Sequence, residues 1–169
     1  VYTKYMEESF IQLIADGLVF PLVILAVATL LLYVPNKRKF SVYSRMLVAG
    51  LTSYLVAKLF SLLYQPSTQR PFELLGVEPG ASYLDNPGFP SDHALFVWVV
   101  VFAIWYGTRK PWVAAVALII AVLVCVGRVL ALVHTPLDIF GGVAAACIGA
   151  LWYLDEKHAK SRRLQKNDQ

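Results

Sequence analysis

The chain of 169 residues is 58% hydrophobic and 15% charged, and its mean hydropathy is +0.60. Soluble domains carry about 25% charged residues, so this composition excludes an ordinary soluble domain and indicates a membrane protein. The net charge of +4 does not indicate nucleic-acid binding, because the basic residues cluster in short segments between apolar runs. Cytoplasmic loops beside anionic lipids have this pattern.

The first predicted element is an amphipathic interfacial helix over residues 4–16, where charged and apolar side chains are mixed at helical spacing. Five apolar runs follow, most of them near the roughly 20 residues that cross a bilayer. They cover residues 17–34, 44–63, 93–107, 112–133 and 137–154. The pattern predicts an all-α fold, an integral membrane helical bundle of about five transmembrane helices plus the N-terminal interfacial helix, in a single domain over residues 1–169.

Basic clusters predict the orientation of this bundle. With five spans, the clusters after the first span, after the third span and in the basic tail over residues 155–169 fall on one side of the membrane. The positive-inside rule makes that side the cytoplasm. The loop over residues 64–92, rich in Pro and Gly, then faces outside and is long enough to be an active-site loop. The clusters are Lys37, Arg38, Lys39 and Arg45; Arg109 and Lys110; and Lys157, Lys160, Arg162, Arg163 and Lys166.

Ionisable residues at the outer edges of the apolar runs form the candidate site, because charge near lipid is costly and usually functional. In Pro90-Ser91-Asp92-His93, Ser91 suits the N-cap of the third span, whose free N–H groups attract an anion. His93 beside such a site can pass a proton to a leaving oxygen. The simpler alternative is a capped helix with an incidental histidine.

A second cluster consists of Arg128, His134 and Asp138. Thr135 and Pro136 suit the first positions of the fifth span, so His134 stands just ahead of that helix and Asp138 lies in its first turn. A carboxylate that accepts the proton of one imidazole nitrogen leaves the other nitrogen free for attack. Arg128 offers a planar fork suited to phosphate oxygens. The alternative is a snorkelling arginine with a structural His–Asp pair.

A third cluster, Lys58 with Arg70-Pro71, is less specific. Lys58 lies inside the second span, where a lone lysine can simply snorkel to the headgroups. It becomes a phosphate ligand if the outer ends of the spans converge around one anion.

The order Lys58, Arg70-Pro71, Pro90-Ser91-x-His93 and Arg128-x5-His134-x3-Asp138 resembles the type-2 phosphatidic acid phosphatase (PAP2) superfamily, over roughly residues 45–155. That superfamily includes lipid phosphate phosphatases and vanadium-dependent haloperoxidases. Residues 85–94 are similar to bacterial undecaprenyl-pyrophosphate phosphatases. Three features depart from the family pattern: the long spacing from Lys58 to Arg70, Gly127 in place of a common serine, and one span fewer than the usual six.

The resemblance implies a metal-independent lipid phosphatase or pyrophosphatase without a cofactor, acting through a phosphohistidine. It implies that His134 is the nucleophile, that Asp138 orients it, and that His93 protonates the leaving group and then activates water. The residues that would hold the phosphate oxygens are Lys58, Arg70, Ser91 and Arg128, with Asp92 and Pro71 in support.

By the same resemblance the expected substrate is undecaprenyl pyrophosphate, a carrier lipid recycled for peptidoglycan in the cell envelope, and the products are undecaprenyl phosphate and phosphate. Phosphatidylglycerophosphate, phosphatidate and lipid A phosphate are alternatives. Two rivals stay open, namely oxidation chemistry on bound vanadate and a catalytically silent lipid-phosphate binding or transport protein. The expected location is a bacterial cytoplasmic (inner) membrane, with the site facing the periplasm or cell exterior and the C-terminus in the cytoplasm. The expected partners are the lipid substrate and the bilayer, with no nucleic acid.

Overall fold

A computed structural model describes residues 9–154 of the chain. All regular elements in this range are helical, which confirms the all-α prediction. They are α1 (Ser9–Tyr33), α2 (Lys39–Leu63), α3 (Pro71–Leu75), α4 (Asp92–Thr108), α5 (Pro111–Leu130) and α6 (Pro136–Ala150). A π-helical turn at Leu13–Gly17 lies within α1, and 3₁₀ turns at Asn36–Arg38 and Leu151–Tyr153 extend α2 and α6. The predicted basic tail lies outside the described residues.

Four helices in this range are long and apolar enough to cross a bilayer, judged by length and composition. They are Ser9–Tyr33, Asn36–Leu63, Pro111–Leu130 and Pro136–Tyr153. The remaining apolar helix, α4, has 17 residues, which is about 25 Å of helix against a hydrocarbon core of about 30 Å. Each predicted span therefore exists as a helix, and the third is the short one.

The short helix α4 is the centre of the bundle, since it packs against α1, α2, α5 and α6. In addition α1 packs against α5, and α2 against α6. Alanines at these contacts let the helix backbones approach closely, which favours association in lipid. The largest buried cluster joins Leu22 and Ala26 of α1 with Ala94, Val97, Val101 and Ile104 of α4 and Val113, Ala117, Ala121 and Val124 of α5.

The outer surface of the bundle is apolar. On α2, Leu47, Leu51, Leu55 and Leu59 recur at every fourth position, and each is more than half exposed. Such a stripe lies on one face of a helix. A large contiguous apolar surface is unusual on a soluble monomer and marks contact with lipid. The fold is therefore that of a membrane protein.

Residues 9–16 of the predicted N-terminal helix are helical, and they are continuous with the first span, whereas residues 4–8 of that prediction lie outside the described residues. From Ser9 the predicted interfacial segment runs into the span as one helix, and its π-helical turn packs against α5. Ala15 in that turn is fully buried. A Cβ atom at Gly127 of α5 would lie 2.8 Å from the backbone nitrogen of Ala15. This close backbone contact holds the first turns of α1 against α5.

The long loop between α2 and α4 (residues 64–91) is tied to the turn between α5 and α6. The N–H of Phe72 donates to the carbonyl of Leu132, and the N–H of Gly80 donates to that of Ala131, both at 3.0 Å. A Cβ atom at Gly80 would lie 3.0 Å from the Cα of Ala131, so the two backbones touch. These contacts place the loop beside the end of α5 and the start of α6, where predicted site residues lie.

Candidate active site

The helices α4 and α6 begin side by side, at the end of the bundle where the turn between α5 and α6 lies. The N–H of Ser91, the residue that caps α4, donates to the carbonyl of Asp138 in the first turn of α6 at 2.9 Å. A Cβ atom at Gly142 would lie 2.5 Å from the Ser91 carbonyl oxygen, so only glycine allows this approach. Both helix starts carry free N–H groups and the positive end of a dipole. Together they make a favourable place for an anion.

The start of α6 also holds the predicted His–Asp pair, with His134 just before the cap and Asp138 in the first turn. Thr135 and Asp138 cap the helix reciprocally. The Thr135 hydroxyl accepts the Asp138 N–H at 3.2 Å, and the Asp138 carboxylate accepts the Thr135 N–H at 2.7 Å. The same Asp138 oxygen, Oδ2, lies 3.5 Å from Nδ1 of His134. Nδ1 is buried without a hydrogen-bond partner in residues 9–154, so the Asp138 carboxylate is the acceptor available to it.

The surroundings of His134 favour the neutral imidazole. Burial lowers the pKa of His134, Arg128 and Arg70 act in the same direction, and the Asp138 carboxylate opposes the shift. A neutral imidazole that turns one nitrogen toward a carboxylate is the nucleophilic form of histidine. The arrangement is therefore suited to nucleophilic attack by His134 with Asp138 as its orienting group, which are the roles that the family resemblance implies.

A cavity of about 170 Å³ lies beside this pair. Five residues predicted for the site are in its wall, namely Arg70, Asp92, His93, Arg128 and His134. The long loop between α2 and α4 supplies the rest of the wall with Ser82, Tyr83, Leu84, Asn86, Gly88 and Pro90. The structure thus gathers positive charge, two histidines and helix starts around one small space.

The two arginines are held differently. The Arg70 guanidinium is organised by the loop and the α5–α6 turn: Nη1 donates to the Val133 carbonyl at 2.6 Å, and Nη2 donates to the Leu84 carbonyl and Asn86 Oδ1 at 3.0 and 2.8 Å. Arg128 is 1% exposed, and its Nε is buried without a hydrogen-bond partner among the described residues. Arg70 therefore also holds the loop and the α5–α6 turn together in the cavity wall. In Arg128, by contrast, the Nε–H is left without an acceptor in the described part of the chain.

Four predicted residues do not line the cavity. Asp138 lies behind His134, as described above, and the other three are Ser91, Pro71 and Lys58. Ser91 is fully buried, and its hydroxyl accepts the Ala94 N–H at 3.4 Å as the cap of α4. Pro71 is the first residue of α3, directly behind Arg70. Lys58 lines a neighbouring cavity of about 140 Å³, which shares Asn86, Gly88, Pro90 and Asp92 with the first. Lys58 therefore faces a separate cavity that adjoins the space around His134 along the segment 86–90.

Asp16 of α1 belongs to the site, although the sequence motifs did not include it. Its Oδ1 lies 2.6 Å from Nη1 of Arg128 and 3.8 Å from Nε2 of His93. Its Oδ2 accepts hydrogen bonds from Ser82 of the loop. The sequence did contain one sign of this role. A carboxylate at the edge of an apolar run is costly near lipid, and this argument applies to Asp16 as it does to Asp138.

These features define a helical membrane protein with a candidate anion site at one end of its spans and a candidate histidine nucleophile in that site. Within residues 9–154 no group of three or more His, Cys, Asp or Glu is placed to hold a metal ion.

Comparison with known proteins identifies the family. The family described as the PAP2 superfamily matches residues 39–160, and the chain belongs to this superfamily. It is similar to a protein of Escherichia coli (strain K12) named "Putative undecaprenyl-diphosphatase YbjG", with 35% identity over 68 residues. That match covers 39% of this chain and 33% of the relative, so the chain spans about a third of the length of the curated protein that it matches. No solved structure matches the chain.

Proposed function

We propose that the protein is a lipid phosphatase that hydrolyses a lipid pyrophosphate or phosphate monoester through a phosphohistidine intermediate. The observation that carries the proposal is the buried His134–Asp138 pair beside a cavity whose wall also holds His93, Arg70 and Arg128. Binding alone requires no nucleophile with an orienting carboxylate. Membership of the PAP2 superfamily supports the same chemistry.

The reaction takes place in two displacements. In the first, the His134 nitrogen that faces away from Asp138, Nε2, attacks phosphorus as the bond from phosphorus to the leaving oxygen breaks. His93 gives its proton to that oxygen, and the lipid product leaves. In the second, water attacks the phosphohistidine while His93 takes the water proton. Phosphate leaves, and His134 is regenerated with both histidines in their starting forms.

Charge stabilisation is the main task of the remaining groups. Phosphoryl transfer needs positioning and positive charge around the three equatorial oxygens more than it needs covalent chemistry. Arg128, Arg70 and the paired starts of α4 and α6 supply this positive field from fixed positions. Because these groups are held before the substrate arrives, little reorganisation is needed during the reaction. No step requires a metal ion.

An apolar cavity at the same end of the bundle supports a lipid rather than a soluble substrate. It measures about 340 Å³ and is bounded by the end of α2 and the start of α6, with Phe60, Leu63, Tyr64, Phe89, Leu137, Phe140, Gly141 and Ala144 as its lining. Phe89 also lines the cavity of Lys58. A hydrocarbon tail in this space would leave its headgroup near the catalytic cavity. We take undecaprenyl pyrophosphate as the first substrate, with glycerolipid phosphates and lipid A phosphate as alternatives.

The topology supports a site on the outer face of a bacterial inner membrane. The catalytic cavity lies where α2 and α5 end and α4 and α6 begin. Basic residues lie at the opposite helix ends, with Lys37 and Arg38 between α1 and α2 and with Arg109 and Lys110 between α4 and α5. The positive-inside rule places those ends in the cytoplasm. The substrate headgroup would then be hydrolysed on the periplasmic or external side.

The test is phosphate release by the purified chain in detergent with EDTA present, across a panel of undecaprenyl pyrophosphate, farnesyl pyrophosphate, phosphatidylglycerophosphate and phosphatidate. Release from the polyprenyl pyrophosphates that is lost in His134→Ala supports the proposal. Preference for a glycerolipid keeps the mechanism and replaces the substrate, and loss of activity in EDTA overturns metal independence. No release by folded protein would favour a binding or transport role, and halide oxidation with added vanadate would favour haloperoxidase chemistry.

A further inference from the structure

Asp16 is not used by the proposed reaction, although it touches two of the residues that are. Its Oδ1 lies 2.6 Å from Nη1 of Arg128 and 3.8 Å from Nε2 of His93. Its Oδ2 accepts hydrogen bonds from the backbone N–H and the hydroxyl of Ser82, at 2.9 and 2.8 Å. A carboxylate in a phosphate site repels the substrate, so a physical reason is needed for its presence.

The buried charge of Arg128 provides that reason. The side chain is 1% exposed, and a buried guanidinium without a counterion is strongly destabilising, above all near lipid. The charge-assisted hydrogen bond to Asp16 fixes the Nη1 side of the planar guanidinium. Nε has no hydrogen-bond partner in the described residues. The pairing thus neutralises the arginine in the empty site and fixes the direction of its remaining donors.

Local structure explains how residue 16 reaches a partner on α5. Asp16 lies in the π-helical turn Leu13–Gly17, and such a turn holds an extra residue, which rotates its side chains relative to a regular α-helix. Gly127 lets the turn approach, because a Cβ atom there would lie 2.8 Å from the Ala15 nitrogen and 2.9 Å from its Cα. Gly127 and Arg128 are adjacent, so the contact that admits the turn also places Asp16 beside the guanidinium.

We propose that Asp16 is a positioning residue of the phosphate site, which holds the Arg128 guanidinium in place and serves as its counterion while no phosphate is bound. The inference rests on the proposed function, because it takes Arg128 as a phosphate ligand. Asp16 is not among the residues that line the cavity, so phosphate does not have to displace it. Removing its charge should therefore weaken phosphate binding and not strengthen it.

The experiment measures the affinity of the full chain in detergent for orthovanadate, a phosphate analogue. The affinity is obtained in two ways, from inhibition of phosphate release and from calorimetric binding. We expect Asp16→Asn to weaken vanadate binding about tenfold or more and to lower kcat/KM by at least as much. Complete loss of one oriented donor costs about 100- to 1,000-fold in rate, and a donor that is present but misplaced should cost less. The matched control is Glu78→Gln, since Glu78 is an exposed loop carboxylate, and it should change neither quantity.

The outcomes separate positioning from other roles. A merely structural role would lower the folded fraction, and with it the apparent kcat, but would leave the dissociation constant of vanadate unchanged; that result overturns the proposal. Tighter vanadate binding by Asp16→Asn also overturns it, because Asp16 would then compete with phosphate for Arg128. If the wild-type protein binds vanadate but hydrolyses no lipid, the proposed function is refuted. The role of Asp16 is still tested in that case, by the vanadate affinities of the wild type and Asp16→Asn. Wild-type protein that neither binds nor hydrolyses refutes both.

A second variant covers the case in which Asp16→Asn fails to fold. Gly127→Ala keeps the carboxylate but should displace the π-helical turn, so we expect it to weaken vanadate binding in the same direction. Gly50→Ala is its control, because a Cβ atom there meets only a Val99 methyl at 3.8 Å. Unchanged vanadate affinity in Gly127→Ala would show that the turn does not set the position of Arg128. If both variants fold, the double variant should bind vanadate no more weakly than Asp16→Asn alone.

Discussion

Gly142→Ala tests whether the close approach of α4 and α6 is what builds the site. A Cβ atom at position 142 would lie 2.5 Å from the Ser91 carbonyl oxygen and 2.9 Å from the Leu95 nitrogen. Both neighbours are backbone atoms of the central helix, so no flexible side chain can move aside. Restoring ordinary contact requires the helices to separate by about 0.9 Å. That separation would stretch the 2.9 Å hydrogen bond between Ser91 and Asp138.

The expected cost is larger in activity than in stability. Overpacking of a well-packed contact costs about 1–3 kcal/mol, whereas a misplacement of about 1 Å in an active site can cost about 100-fold in rate. We therefore expect Gly142→Ala to remain folded and to lose about 100-fold in kcat/KM. The assays are phosphate release and thermal unfolding in detergent, with Gly50→Ala as the control. Activity within twofold of the wild type would refute the reasoning, and so would a loss no greater than the loss of folded protein.

Three further predictions follow from the site. Asp138→Asn keeps an oxygen for the Thr135 N–H but favours the wrong imidazole tautomer, so phosphate release should fall about 1,000-fold or more with little change in unfolding temperature; an unchanged rate would reduce Asp138 to a helix cap. Burial lowers the pKa of His134 from the ordinary value of 6.5, so the imidazole is still neutral at pH 6.5. The acid limb of the kcat/KM profile should therefore lie below pH 6.5. A limb above pH 6.5 would contradict the assignment of His134 as the nucleophile. Lys58→Ala should cost less than about tenfold in kcat/KM and Arg128→Ala about 100-fold or more, and equal losses would show that Lys58 reaches the phosphate.

The parts of the site that could be predicted from sequence are those that local geometry determines. Asp138 follows His134 by four residues, and the Thr135 cap fixes the turn that brings them together. Ser91 as the cap of α4 was likewise readable from its position ahead of an apolar run. In each case a helix start places the side chains, and helix starts have recognisable residues. The helices themselves were predictable because their apolar runs are long.

The parts that could not be predicted depend on contacts between distant segments. Asp16 reaches Arg128 only because a π-helical turn and Gly127 meet, and neither the turn nor the contact has a sequence pattern of its own. Lys58 is the opposite of Asp16, because the sequence predicted it for the site and the structure places it in the wall of a neighbouring cavity. It lies five residues before α2 ends at Leu63, about 7.5 Å below the helix end. It lines a cavity that shares wall residues of the segment 86–90 with the cavity of His134. Its role stays a prediction that the Lys58→Ala measurement decides.

The shortness of α4 is connected to the position of the site. The helix begins at Asp92, and the residues just before it form irregular backbone that lines the catalytic cavity through Gly88 and Pro90. Irregular backbone is tolerated within a bilayer only where protein or a polar cavity satisfies its polar groups, and here the Asn86 side chain accepts the Gly88 N–H at 3.2 Å while the Gln65 side chain donates to the Phe89 carbonyl at 3.0 Å. A central helix of full length would fill this space with apolar side chains. By starting late, α4 leaves a space among these ends of the spans for the proposed phosphate, and the first residues of the helix line that space with its positive end.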